Sequence, residues 1–91
     1  MIDIDIILKE KKISKTDIAK RMGLSRESLY RILSGNPTLD NVVKLANALE
    51  IPVSELFATG MGEVSGYIEY RGVIYRIASF EDLENILRLK Q

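Results

Sequence analysis

The segment SKTDIAKRMGLSRESLYRILSG, residues 14–35, holds two short amphipathic runs separated at Gly23-Leu24, and its reading decides the fold. Ser14 followed three residues later by Asp17 is a capping-box signature, in which a hydroxyl and a carboxylate each accept a backbone N–H left unpaired at a helix start. Ile18, Ala19 and Met22 give that helix an inward face, and Gly23 ends it. Ser25 caps the next helix and Gly35 stops it. At ~100° per residue, Arg26, Tyr30, Ser34, Glu27 and Arg31 fall in that order across about 140° of this helix, while Leu29, Ile32 and Leu33 fill the opposite side. One face is anchored, and the other carries more hydrogen-bonding groups than solvation alone requires.

Outward from this pair, Ile4, Ile7 and Leu8 predict a first helix from Asp3 or Asp5 to Lys11, with the alternation of Ile2, Ile4 and Ile6 competing for a strand. Asn36-Pro37 is a turn, and Thr38 caps a fourth helix whose Leu39, Val42, Val43, Leu45, Ala46 and Leu49 leave only a narrow polar face. IPVSELF supplies a short fifth helix, with Leu56 and Phe57 packing back. Residues 59–66, rich in glycine, read as a linker. YIEYRGVIYRI then reads as a hairpin about Arg71-Gly72 that pairs Tyr70 with Val73, Ile68 with Tyr75 and Tyr67 with Arg76. This register gathers Ile68, Tyr70, Val73, Tyr75 and Ile77 on one face and leaves Tyr67, Glu69, Ile74 and Arg76 on the other. A last helix is capped by Ser79 and Asp82 and carries the stripe Phe80, Leu83, Ile86 and Leu87.

The 91 residues are 46% hydrophobic and 29% charged, the composition of an ordinary globular chain. A net charge of zero hides a distribution: residues 9–31 hold eight Lys or Arg against three acids, a local +5, and the remainder carries −5. A basic segment on an otherwise acidic chain points to an anionic partner, although clustered lysines on a solvated helix give the same count. With no Cys and no His there is no disulfide, no thiolate nucleophile, no base for a Ser-His-Asp triad and none of the preferred zinc ligands. No glycine-rich phosphate loop or GxSxG elbow is present. An enzyme is not expected, and neither is a cofactor or a metal. Asp3 and Asp5 stand where a secretory leader would carry positive charge, and no apolar run approaches the ~18 residues of a membrane span, so a cytoplasmic location is expected.

Two short helices joined by a glycine turn, the second rich in donors and acceptors, outline a helix-turn-helix. Beyond that outline, ISKTDIAKRMGLSRESLYRILSGNPTLDNVVKLANALEIPVSELF resembles the lambda-repressor/Cro-like (XRE-type) helix-turn-helix domain, the likeness covering about residues 4–57. Ile18-Ala19 within the second helix, Gly23 in the turn, Ser25 as cap, Leu29 and Ile32 on the inner face, Gly35 after the third helix and KLANALEIPVSELF carry it. The resemblance implies a mostly α fold: a five-helix lambda-repressor-like DNA-binding domain over residues 1–58. After the 59–66 linker, the hairpin and helix of residues 67–91 would serve for dimerisation or for a partner.

The same resemblance implies sequence-specific binding of double-stranded DNA, with helix 26–33 in the major groove and a homodimer on a two-fold site. Carried over residue by residue, it gives base reading to Arg26, Glu27, Ser28 and Arg31. Phosphate contacts fall to Ser14, Lys15 and Thr16 at the start of the second helix, and to Tyr30, Ser34, Asn36 and Thr38. The chemistry suits these roles: Arg26 and Arg31 can donate bidentately to guanine O6 and N7, and Glu27 can accept from cytosine N4. Free backbone N–H groups at a helix start attract a phosphate. Lys15 stands where the family often has glutamine, which moves that position from base-edge support toward phosphate contact, and Leu33 replaces a frequent glutamate. Arg26 and Glu27 also read as a plain surface ion pair. GLSRESLYRILSGNPTLDNVVKLANAL is similar as well to HigA-like antitoxins, which would bind a toxin through residues 60–91 and regulate themselves through DNA. A helix-turn-helix used only as a protein adaptor is the third reading.

Overall fold

A computed structural model describes residues 2, 4–58 and 63–90. The chain forms α1 (Asp5–Lys11), α2 (Lys15–Met22), α3 (Arg26–Ser34), α4 (Leu39–Leu49) and α5 (Val53–Leu56), then β1 (Gly66–Tyr70), β2 (Val73–Ile77) and α6 (Phe80–Arg88). This is the mostly α fold with a carboxy-terminal hairpin and helix that the patterning predicts. The competition at the amino terminus resolves by residue. Ile2 is buried and its N–H donates to the Leu33 carbonyl at 2.9 Å, while the helix begins at Asp5, buries Ile4 and Leu8, and leaves Ile6 71% exposed.

Helix α4 is the central beam. Its Leu39, Val42, Leu45, Ala46 and Leu49 are all buried, and α2, α5 and β1 pack against it. The leucines and Val42 each contribute roughly 1.5–3 kcal/mol by leaving water. Ile68, Ile77, Leu83 and Ile86 join the same buried cluster as Ile18, Leu29 and Leu45, so the hairpin and α6 share the core of the helices before them.

The hairpin has the register that alternation predicts: Tyr67 opposite Arg76, Ile68 opposite Tyr75 and Tyr70 opposite Val73. Arg71 and Gly72 both adopt positive φ, 51° and 81°, as a two-residue turn that matches strand twist requires. Backbone contacts dock this hairpin. The Glu69 N–H donates to the Pro37 carbonyl at 2.9 Å, Thr38 and Glu69 form a parallel bridge, and the Ser65 N–H reaches the Phe57 carbonyl at 2.9 Å. Gly66 lies so near Phe57 that a Cβ there would sit 2.5 Å from the ring's Cδ1. Lys90 pairs with Asp40 at 2.7 Å, and the Tyr70 hydroxyl donates to the Leu89 carbonyl at 3.2 Å. Of the expected linker, residues 59–62 lie outside the described residues; Val64 is buried and bridges Ala58.

Two expectations about α6 need correcting. Phe80 is 54% exposed rather than part of the buried stripe: it is the first residue of α6, and Leu87, about 20° from it around the helix but two turns further on, is the one that packs against the core. The Asp82 carboxylate accepts the N–H of Ala78 at 2.9 Å, one residue before the cap, so only the Ser79 hydroxyl half of the box forms as drawn.

Candidate nucleic-acid interface

Two capped helices build the site. The Ser14 hydroxyl accepts the Asp17 N–H at 3.1 Å, and the Asp17 carboxylate accepts the Ser14 N–H at 3.1 Å, the reciprocal box the spacing predicts. That backbone N–H, and then the Ser14 hydroxyl, hold the Asp17 carboxyl below the ordinary carboxylate value. Gly23 closes α2 in the left-handed conformation, turning the chain sharply into α3. The Ser25 hydroxyl accepts the Ser28 N–H at 3.2 Å to start that helix.

On α3, Leu29 and Leu33 are buried and Ile32 half-buried, while Arg26, Glu27, Tyr30, Arg31 and Ser34 are exposed. Buried leucines fix the helix, and the arc between Arg26 and Arg31 faces solvent. Ser28 sits at the edge of that arc, half-buried, with its hydroxyl accepting from Ser25 at 3.0 Å. Ser34 turns its hydroxyl back toward the Arg31 carbonyl at 3.5 Å.

Tyr30 links the two helices. The Lys15 Nζ lies 5.1 Å from its ring centroid and the Arg26 Cζ 5.8 Å, so cations from α2 and α3 both lie against the one aromatic ring. Such contacts are worth about 0.5–1 kcal/mol at exposed sites and, more usefully here, restrict two long side chains. Lys15 also pairs with Asp5 at 3.4 Å, which draws α1 into the same cluster. Thr16 is exposed at the start of α2, beside Lys15.

Beyond α3, Asn36 is exposed in the turn and Thr38 is half-buried, its hydroxyl accepting the Asn41 N–H at 3.2 Å as the cap of α4. Pro37 between them is buried, and its carbonyl is the one bonded by Glu69. The hairpin therefore braces the loop that carries Asn36 and Thr38.

Several of these partnerships have no local signal in the sequence. Arg21, one of the eight cations in the basic segment, donates to the Ala48 carbonyl at 2.9 Å and closes the end of α4. Asp5 with Lys15, and Pro37 with Glu69, likewise join residues too far apart for periodicity to register. Among the described residues no cluster of acids could hold a metal ion, and no helix is long and apolar enough to cross a membrane.

What remains is a cation-bearing helix face, anchored by buried Leu29 and Leu33 and flanked by two capped helix starts, which can donate to base edges and backbone phosphates at once. A family model described as helix-turn-helix matches residues 4–56, more than half of the 91-residue chain. Among curated proteins and among solved structures, nothing matches.

Proposed function

We propose, starting from the fact that the chain belongs to the helix-turn-helix family of the XRE, lambda-repressor-like type, that it reads a specific duplex sequence as a homodimer. At the level of the family it is a DNA-binding helix-turn-helix regulator. The observation that carries the finer reading is the exposed arc of Arg26, Glu27 and Arg31 on a helix whose reverse side is anchored by Leu29 and Leu33.

In this reading α3 enters the major groove. Arg26 and Arg31 donate to guanine, Glu27 accepts from cytosine, and Ser28 completes the reading set from the edge of the arc. Ser14, Lys15 and Thr16 meet one phosphate strand at the start of α2; Ser34, Asn36 and Thr38 meet the other, with Tyr30 between. Residues 60–91 hold the dimer, because half-sites about 34 Å apart on a two-fold operator need two recognition helices in fixed relation.

Selection of bound duplexes from a random pool tests this reading. A palindromic consensus supports both the reading and the dimer, a single unrepeated half-site supports a monomeric reader, and no enrichment at low salt removes sequence-specific binding. A second reading, an antitoxin, is favoured by the exposed Tyr67, Val73, Ile74 and Phe80 of the carboxy-terminal segment, which a protein partner would cover. A toxin-like reading frame beside the gene, with its product co-purifying, would decide for it.

A further inference from the structure

The small sheet has two edges with different fates. Glu69 on the β1 edge is already bonded to Pro37. In a hairpin with a two-residue turn, the pair beside the turn, Tyr70 and Val73, is hydrogen-bonded, and alternation makes Ile68 with Tyr75 and Gly66 with Ile77 bonded as well. The backbone N–H and C=O groups of Ile74 and Arg76 must then point away from β1, and no described residue bonds to them. Edge strands left this way are normally blunted by proline, a bulge or lysine. Strand β2, VIYRI, has no proline, bulge or lysine and a single charge, Arg76, and it shows Val73 and Ile74 51% and 55% exposed.

We propose that the free edge of β2 pairs antiparallel with β2 of a second copy of the chain, about a two-fold axis at Tyr75, to give one four-stranded sheet. The inference rests on the homodimer reading above and supplies its contact. The register follows from counting donors. With the axis at Tyr75, Ile74 faces Arg76 of the second copy and Arg76 faces its Ile74, so every outward N–H and C=O of both residues is bonded, in four bonds. With the axis at Ile74, Arg76 would instead face the turn residue Gly72, where the strand has ended.

A second copy is the occupant because the edge is complementary to itself. Side chains follow the same two-fold logic. The stem of Arg76 lies over the exposed Ile74 of the second copy, Val73 meets its Ile77, and the two half-buried Tyr75 rings face each other as a close, non-bonded pair. A strand edge of five residues is small beside the ~800 Å² per partner of a standard interface, so the dimer should be concentration-dependent.

The chain has no cysteine, which makes a single-site cross-link clean. Across the proposed axis the two Cβ atoms at position 75 lie about 4.5–5.5 Å apart, close to disulfide range. The full chain with Tyr75→Cys should therefore oxidise to a covalent dimer faster than the chain with Ile74→Cys, and faster cross-linking from Ile74→Cys would overturn the register. Independently, Ile74→Lys should weaken the dimer at least about tenfold by sedimentation while the thermal melt of the dilute, monomeric chain holds, since position 74 lies outside the core. A wild-type dimer unaffected by Ile74→Lys would overturn the edge and leave the homodimer reading standing. A wild-type chain that stays monomeric at about 100 μM, or that forms a stoichiometric complex with a different protein through this edge, would overturn the inference together with the homodimer, while duplex selection still judges DNA reading separately.

Discussion

Helix α3 leaves Arg26, Glu27 and Arg31 exposed above buried Leu29 and Leu33, whereas the outer face of the hairpin leaves Tyr67 and Ile74 48% and 55% exposed beside Glu69 and Arg76. Both surfaces stand on the same core, yet one offers charge and hydrogen bonds and the other apolar area with a free backbone edge. The first suits a hydrated, anionic duplex and the second a protein surface. The two surfaces differ in exposed chemistry although they are mechanically joined, since the Glu69 N–H reaches the Pro37 carbonyl and braces the loop of Asn36 and Thr38.

The largest effect expected is on the shared core. Ile68→Ala should cost about 2–4 kcal/mol and keep a single unfolding transition, as urea denaturation would show. Two transitions, with the helices melting separately from the hairpin, would break the comparison by making the halves independent. Gly66→Ala should cost about 1–3 kcal/mol, since its Cβ meets the Phe57 ring at 2.5 Å, and combining it with Phe57→Leu should recover part of that loss.

A smaller effect tests how the charged face is organised. Tyr30→Leu should weaken duplex binding by about 0.5–1 kcal/mol while Tyr30→Phe stays near wild type, if the ring's role is to hold Lys15 and Arg26. Equal losses in both variants would assign the effect to the hydroxyl and a direct phosphate contact.

The smallest effect is acid-dependent. Lys90, by hydrogen bond and then by charge, lowers the Asp40 carboxyl below its ordinary 3.8. A lowered carboxylate stabilises the fold fully above that ordinary value and loses the contribution as pH falls through the lowered one. Lys90→Met should therefore lower the urea midpoint slightly at neutral pH and flatten the acid limb below about pH 4. An unchanged acid limb would show that this tie between α6 and α4 adds nothing in solution.

Local chemistry explains how much of this was legible beforehand. Caps at Ser14, Ser25 and Thr38 act within three residues, and the hairpin register follows from two-residue alternation about Arg71-Gly72, so each could be read from spacing alone. The candidate face was legible for the same reason: Arg26, Glu27 and Arg31 share an arc fixed by helix geometry. Phe80 misled because a stripe at its edge looks the same in sequence whether or not the helix tilts that residue onto the core. The Glu69 bond to Pro37, the Arg21 bond to Ala48 and the Lys15–Tyr30–Arg26 cluster depend on tertiary approach, which no periodicity encodes.

The most direct test of the account measures Arg31→Ala and Lys15→Ala on a selected duplex and on a scrambled one, each across a salt series. Arg31→Ala should lose about 1–3 kcal/mol on the selected duplex alone and relax one base position. Lys15→Ala should weaken both duplexes alike and lower the salt slope by about one unit. Equal, sequence-independent losses from the two variants would contradict the claim that α3 reads bases.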